Sequence, residues 1–135
     1  MCLKLNNNAV ETAKALRSIA SKNSFVIKGY KSLIDRGNET FESAYHNHTW
    51  HLNEKSESTR RTVQLSFKEL KEEKVDKGFH FYTDYDTAVE NLIDNRVLVE
   101  FDIEVKDLVA LGKNSFQGAD GLVATAATPR AVLEI

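Results

Sequence analysis

The sequence predicts an α+β fold. One compact domain is expected over residues 1–135, with a helix in residues 1–23 and, in residues 24–135, a mostly antiparallel split sheet and a second helix behind a Gly-Phe-His strand. Three observations predict this. Val97, Val99, Phe101, Ile103 and Val105 alternate with Leu98, Glu100, Asp102 and Glu104, the period of a strand with one buried face and one largely acidic face. Gly78-Phe79-His80-Phe81-Tyr82 is a short aromatic run suited to a pleated surface. It is followed by Thr83 at a cap position, Asp84 and Asp86 in a first helical turn, and the stripe Tyr85, Ala88, Val89, Leu92, Ile93. Finally, 41% hydrophobic and 28% charged residues over 135 positions describe a chain that builds one core.

The remaining elements follow in order. Asn6-Asn7-Asn8 caps a helix to about Lys22, whose face Ala9, Ala13, Leu16 and Ala20 suits close packing on a sheet or on a second copy. Ser24 to Tyr30 reads as a strand, and Asp35-Arg36-Gly37-Asn38 as a turn. Residues 53–61, charged and Ser-rich, read as a mobile loop, and Thr62 to Phe67 alternates as a strand would. Lys68 to Lys74 reads as a short exposed helix or hairpin arm. Asp107 to Gly112 reads as a helical turn ended by Gly, and residues 113–121 as a loop. Residues 122–127 and 130–135 read as strands with Thr128-Pro129 as their corner, the last tied into the sheet.

Composition narrows function. A formal net charge of -2 gives no basic field for nucleic acid. The single cysteine, Cys2, rules out an internal disulfide and fits a reducing compartment, here expected to be the cytoplasm of a host cell. No apolar run reaches the roughly 18 residues of a membrane span, and no signal-peptide pattern opens the chain. The sequence has neither a phosphate loop of the Gly-x-x-x-x-Gly-Lys type nor a Gly-x-Ser-x-Gly elbow.

Three of four histidines fall in Tyr45-His46-Asn47-His48-Thr49-Trp50-His51. On a strand His46 and His48 share a face; on a helix His48 and His51 are neighbours. Zinc, a ligand pocket and plain structural histidines all remain open; His46 and His48 are taken as ligand contacts and no metal is assigned. Trp50 reads as a core anchor, and Arg60-Arg61 as a solvated pair.

Several of these motifs carry a family resemblance. Gly78 to Thr83, Ala88, Val97 to Phe101, and the tail Gly121 to Thr125 with Pro129 to Ile135 resemble the ADP-ribosyltransferase-like fold, including the closing strands of RNA 2'-phosphotransferases. The chain also resembles small phage proteins with a Gly-Phe-His motif. The resemblance implies a ligand site around Lys28, Gly29, Tyr30, Phe81, Tyr82 and Thr83, with His80 beside it. Tyr82 or Tyr85 would stack on nicotinamide, and Glu134 would be the late carboxylate, so that Tyr82 and Glu134 are the candidate catalytic pair. Lys28 stands where the family carries His or Arg, and the final strands hold no Gln-x-Glu or Glu-x-Glu pair. The expectation is therefore a phage or mobile-element accessory protein without catalysis. It would need no cofactor, and would counter host defence by binding a nucleotide-derived small molecule or a host defence protein. The alternatives are an ADP-ribosyltransferase using NAD on a host macromolecule and a module that self-associates through the Ala-rich helix.

Overall fold

The computed structural model describes residues 3–5, 7–22, 25–43, 48–114 and 118–134. Cys2, Asn6, Ser24, the segment 44–47 with His46, residues 115–117 and Ile135 lie outside the described residues. Chain order is β1 (Leu3–Lys4), α1 (Asn7–Ala20), β2 (Val26–Gly37), β3 (Thr40–Glu42), β4 (Thr49–His51), β5 (Ser56–Glu57), α2 (Phe67–Glu72), β6 (Lys74–Val75), β7 (Phe79–Tyr82), α3 (Tyr85–Glu90), β8 (Val97–Glu104), a 3-10 turn (Val105–Asp107), β9 (Leu108–Asn114), β10 (Asp120–Ala124) and β11 (Ala126–Leu133). The strands form an antiparallel sheet in the order β5-β11-β8-β2-β7-β10-β9-β1-β6, with β3 paired to β2 and β4 paired to β3, and it curls into a half-barrel. The α+β reading with a mostly antiparallel sheet holds.

The spine is the long pairing of β2 with β8, from Val26↔Glu104 to Leu33↔Val97. On its other side β2 meets β7 only at Tyr30↔Tyr82, so β7 leaves β2 there. Phe81, Phe101, Trp50, Leu33 and Ala13 gather on the inner face, whereas Tyr82, Leu98 and Ala88 form a separate cluster under α3. Adjacent residues thus face opposite ways, as the strand period requires. The alanine face of α1 packs within the chain: Ala13 is 1% exposed, α1 lies on β9, and Arg17 Nη1 donates to the carbonyls of Leu108 (2.7 Å) and Val109 (3.3 Å).

Several local expectations change. The strand expected to end at Tyr30 runs on to Gly37, and the turn sits at Asn38-Glu39, both at positive φ, which is the two-residue hairpin geometry that matches strand twist. Asp84, not Thr83, caps α3, because its Oδ2 reaches the amide of Thr87 at 3.0 Å. Thr62 to Ser66 is not a strand. Ser66 instead opens α2 with a capping box, its Oγ accepting from the Glu69 amide while Glu69 Oε1 accepts from the Ser66 amide. The stretch 53–61 is not a plain loop: β5 pairs with β11, and Arg60 is buried in an ion pair with Glu69 while Arg61 stays exposed beside Glu57.

Residues 108–112 are strand rather than helical turn. Leu108, Val109 and Ala110 are buried on both faces of β9, and such a short apolar run has no periodicity to distinguish the two. The corner before β11 is Thr125, whose amide donates to the Asp107 carbonyl at 2.9 Å. Pro129 sits inside β11 opposite Phe101, next to the register shift between Pro129 and Ala131, where a missing N–H is tolerated.

Candidate functional site

The sequence-predicted residues fall in three places. On the outer face of β2, Lys28 Nζ is paired with Asp102 and lies 3.5 Å from Glu100, and Arg130 Nε holds the other Asp102 oxygen at 2.9 Å. The Asp102 hydrogen bond raises the Lys28 pKa; desolvation opposes it, and the charges of Asp102 and Glu100 assist it. Tyr30, also on that face, meets Tyr85 edge-on at 6.1 Å; burial first, then Glu100, raises its pKa. Tyr82 is 9% exposed beneath α3. Glu134 lies exposed beyond β11, and its carbonyl oxygen is 3.5 Å from the Tyr85 hydroxyl. Tyr82 and Glu134 therefore belong to β7 and to the end of β11, with β2 and β8 between those strands.

Thr83 lines a second place, an open cleft of about 400 Å³ with Asn8, Thr12, Lys113 and Asp120. Lys113 and Asp120 are ion-paired at 2.8 Å across two exposed side chains.

The third place is the inner side of the gap between β2 and β7. Gly29 contributes no opening there, because a Cβ would stand 2.6 Å from Ile103 Cδ1 and 3.1 Å from Phe81 Cβ. One step past Tyr30↔Tyr82, Lys31 faces Phe81, and its Nζ lies 5.5 Å from the ring centroid. Nζ donates to the His80 carbonyl at 2.8 Å. Lys31 has no carboxylate partner among the described ion pairs. Burial pushes its pKa down to about 8, although the side chain keeps some surface.

Next to it, His48 meets Trp50 edge-on at 4.4 Å and lies tilted against Phe79 at 4.9 Å between ring centroids. Its Nε2 is buried without a hydrogen-bond partner; Ser32 Oγ, likewise unpartnered, lies on the opposite face of β2. Burial, then the charges of Lys31 and His51, lowers the His48 pKa. Trp50 closes the wall at 0% exposure, its Nε1 donating to Ser43 Oγ at 3.0 Å. Sequence reasoning missed Lys31. The available signal was its register: Gly29, Lys31 and Leu33 share a face, and the other two are fully buried.

His80 is structural. It is 7% exposed, with Nδ1 3.2 Å from the Gly78 carbonyl and Nε2 3.1 Å from the Val75 carbonyl. A neutral ring has one N–H and so donates to only one of them. Burial pushes its pKa down to about 4, the two carbonyls opposing and Lys31 assisting. The native ring stays neutral while the unfolded chain takes a proton near 6.5. The associated stability, about 3 kcal/mol, is therefore present above pH 6.5 and drains as pH falls toward 4. Urea midpoints at pH 7 and pH 4.5 should differ less in His80→Leu than in the wild type.

Among the described residues no three His, Cys, Asp or Glu side chains are placed to hold a metal ion, and no helix is long and apolar enough to cross a membrane. No family model, curated protein or solved structure matches the chain. What fold and site define is an antiparallel α+β half-barrel with an uncompensated lysine where its central strands part.

Proposed function

We propose that this protein binds a nucleotide-derived small molecule and does not transform it. One observation carries the reading: where β7 leaves β2, Lys31 has no acid partner among the described residues, and the Nε2 of His48 beside it is buried without a hydrogen-bond partner. Unmet buried polar groups of this kind fit a site that is completed by a ligand. The choice of a nucleotide-derived ligand rests on the resemblance of Gly78 to Thr83 and of the closing strands to the ADP-ribosyltransferase-like scaffold. The absence of turnover is supported by the placement of Glu134 at an exposed margin and of Tyr82 under α3. The wider role is that of a phage or mobile-element accessory protein in the host cytoplasm. By sequestering a nucleotide signal it would counter host defence; direct capture of a host defence protein is the variant in which no small ligand binds. This role rests on the resemblance to small phage proteins.

The test is thermal unfolding with NAD, ADP-ribose, cyclic ADP-ribose isomers and cyclic di- and trinucleotides. A ligand at 100 times its dissociation constant adds about 2.7 kcal/mol, a rise of several degrees in a domain of this size. A shift without loss of NAD is expected. Consumption of NAD that Glu134→Gln abolishes would replace this reading with the transferase.

A further inference from the structure

We propose that the gap between β2 and β7 is an oxyanion site, in which Lys31 and His48 together hold a phosphate group. This rests on the binding reading above and names the part of the ligand that enters the gap.

A desolvated ammonium with a single carbonyl contact is costly unless an anion joins it, and none of the described carboxylates does. The exposed lysines Lys28, Lys55 and Lys113 each have an acid partner; Lys31, the most enclosed of the four, has none among the described residues. Its ammonium has three N–H groups, and His80 O takes one. A second donor approaches from another element: His48 enters from the start of β4, and its unpartnered Nε2 accepts or donates according to tautomer.

Two donors on different elements, one of them a point charge rather than a planar fork, suit the several oxygens of a tetrahedral phosphate better than a flat carboxylate. Lys31, His48 and Phe79 each keep partial exposure, so the residues that flank the gap border solvent. The titratable neighbours are His51, which bears on His48, and His80, whose ring is turned to Val75 and Gly78. Neither adds a negative charge that would compete. An anion here favours the charged forms of Lys31 and His48, so binding takes up protons and weakens as Lys31 loses its own.

Sulfate is the probe for pH, because its charge is constant between pH 7 and 9. Calorimetric titration of the full chain should give a dissociation constant about tenfold weaker at pH 9 than at pH 7, following deprotonation of a group at about 8. Lys31→Met should weaken sulfate at least tenfold at pH 7, and His48→Phe by less, while Lys68→Met on α2 changes nothing. Circular dichroism melts confirm that each variant is folded. Inorganic phosphate and ADP-ribose, titrated against the same variants, separate a free from a nucleotide-borne phosphate. If ADP-ribose binds wild type and Lys31→Met alike, the oxyanion site is wrong and the binding reading stands. If sulfate and phosphate bind through Lys31 and no nucleotide binds, the site stands and the nucleotide reading falls. Sulfate binding that ignores both pH and Lys31, or no binding by any probe, overturns the site.

Discussion

Arg60→Met should lower the unfolding free energy by about 3–5 kcal/mol, the range for removing one partner of a buried ion pair. The Arg60 side chain is 6% exposed and that of Glu69 17%. Its guanidinium reaches Glu69 Oε2 through Nη1 at 2.6 Å and Glu69 Oε1 through Nη2 at 2.9 Å, a two-pronged contact. It also donates to the carbonyls of Thr62 at 2.8 Å, Gln64 at 2.9 Å and Lys77 at 3.3 Å. One side chain therefore ties together a segment that lacks regular structure before α2. Burial alone would raise the Glu69 pKa; the Arg60 contact and the Ser66 amide more than reverse this, and the net shift is downward. Without Arg60, Glu69 keeps only the capping amide and three carbonyls lose a donor. Lysine cannot substitute, since one ammonium does not span the same set. Urea unfolding should show a lower midpoint at unchanged slope, and Arg60→Met combined with Glu69→Leu should recover part of the loss.

Trp50→Ala is the other large effect, also about 3–5 kcal/mol, because a fully buried indole leaves a void that its neighbours only partly fill. Its ring lies 4.4 Å from Phe79, 4.8 Å from Phe101 and 6.3 Å from Phe81, so it joins β4 to β7 and β8. Trp50→Phe retains most of the apolar contact but leaves Ser43 Oγ without the indole donor. It should cost about 1–2 kcal/mol, near the lower end of the penalty for a buried unsatisfied group. Circular dichroism is the readout for both variants. In the wild type this single tryptophan also reports the core directly, and its emission should move to longer wavelength on unfolding.

How much of this was readable beforehand depends on how much pattern a segment carries. The alternation of Val97 to Val105 spans enough residues to fix β8 and its inward face, and Phe101 and Ile103 are indeed at 0% exposure. The alanine stripe fixed α1, and the aromatic run fixed β7. Leu108 to Leu111 carried no period because both faces of β9 are covered, and the strand was hidden. Ser66 and Glu69 did display a capping box, which outweighs the weak alternation before it. Arg60 was unreadable: nothing local to Arg60-Arg61 says that the first turns inward to a carboxylate nine residues on. For the candidate site, the sequence reading names His48 as a ligand contact, and the structure places it against Trp50 and Phe79; its neighbour Lys31 came only from register. The resemblance drew attention to Lys28, which faces outward, and the inward lysine three residues later became visible only once β7 was seen to part from β2.

The central claim is that a ligand completes the gap between β2 and β7. Calorimetric titration of the wild-type chain with ADP-ribose at pH 7 tests it most directly. The account predicts saturable heat at one site per chain, with the ligand recovered unchanged. Absence of heat with ADP-ribose, the cyclic nucleotides and inorganic phosphate alike, each up to millimolar and with the protein shown folded by the blue-shifted emission of Trp50, would contradict it.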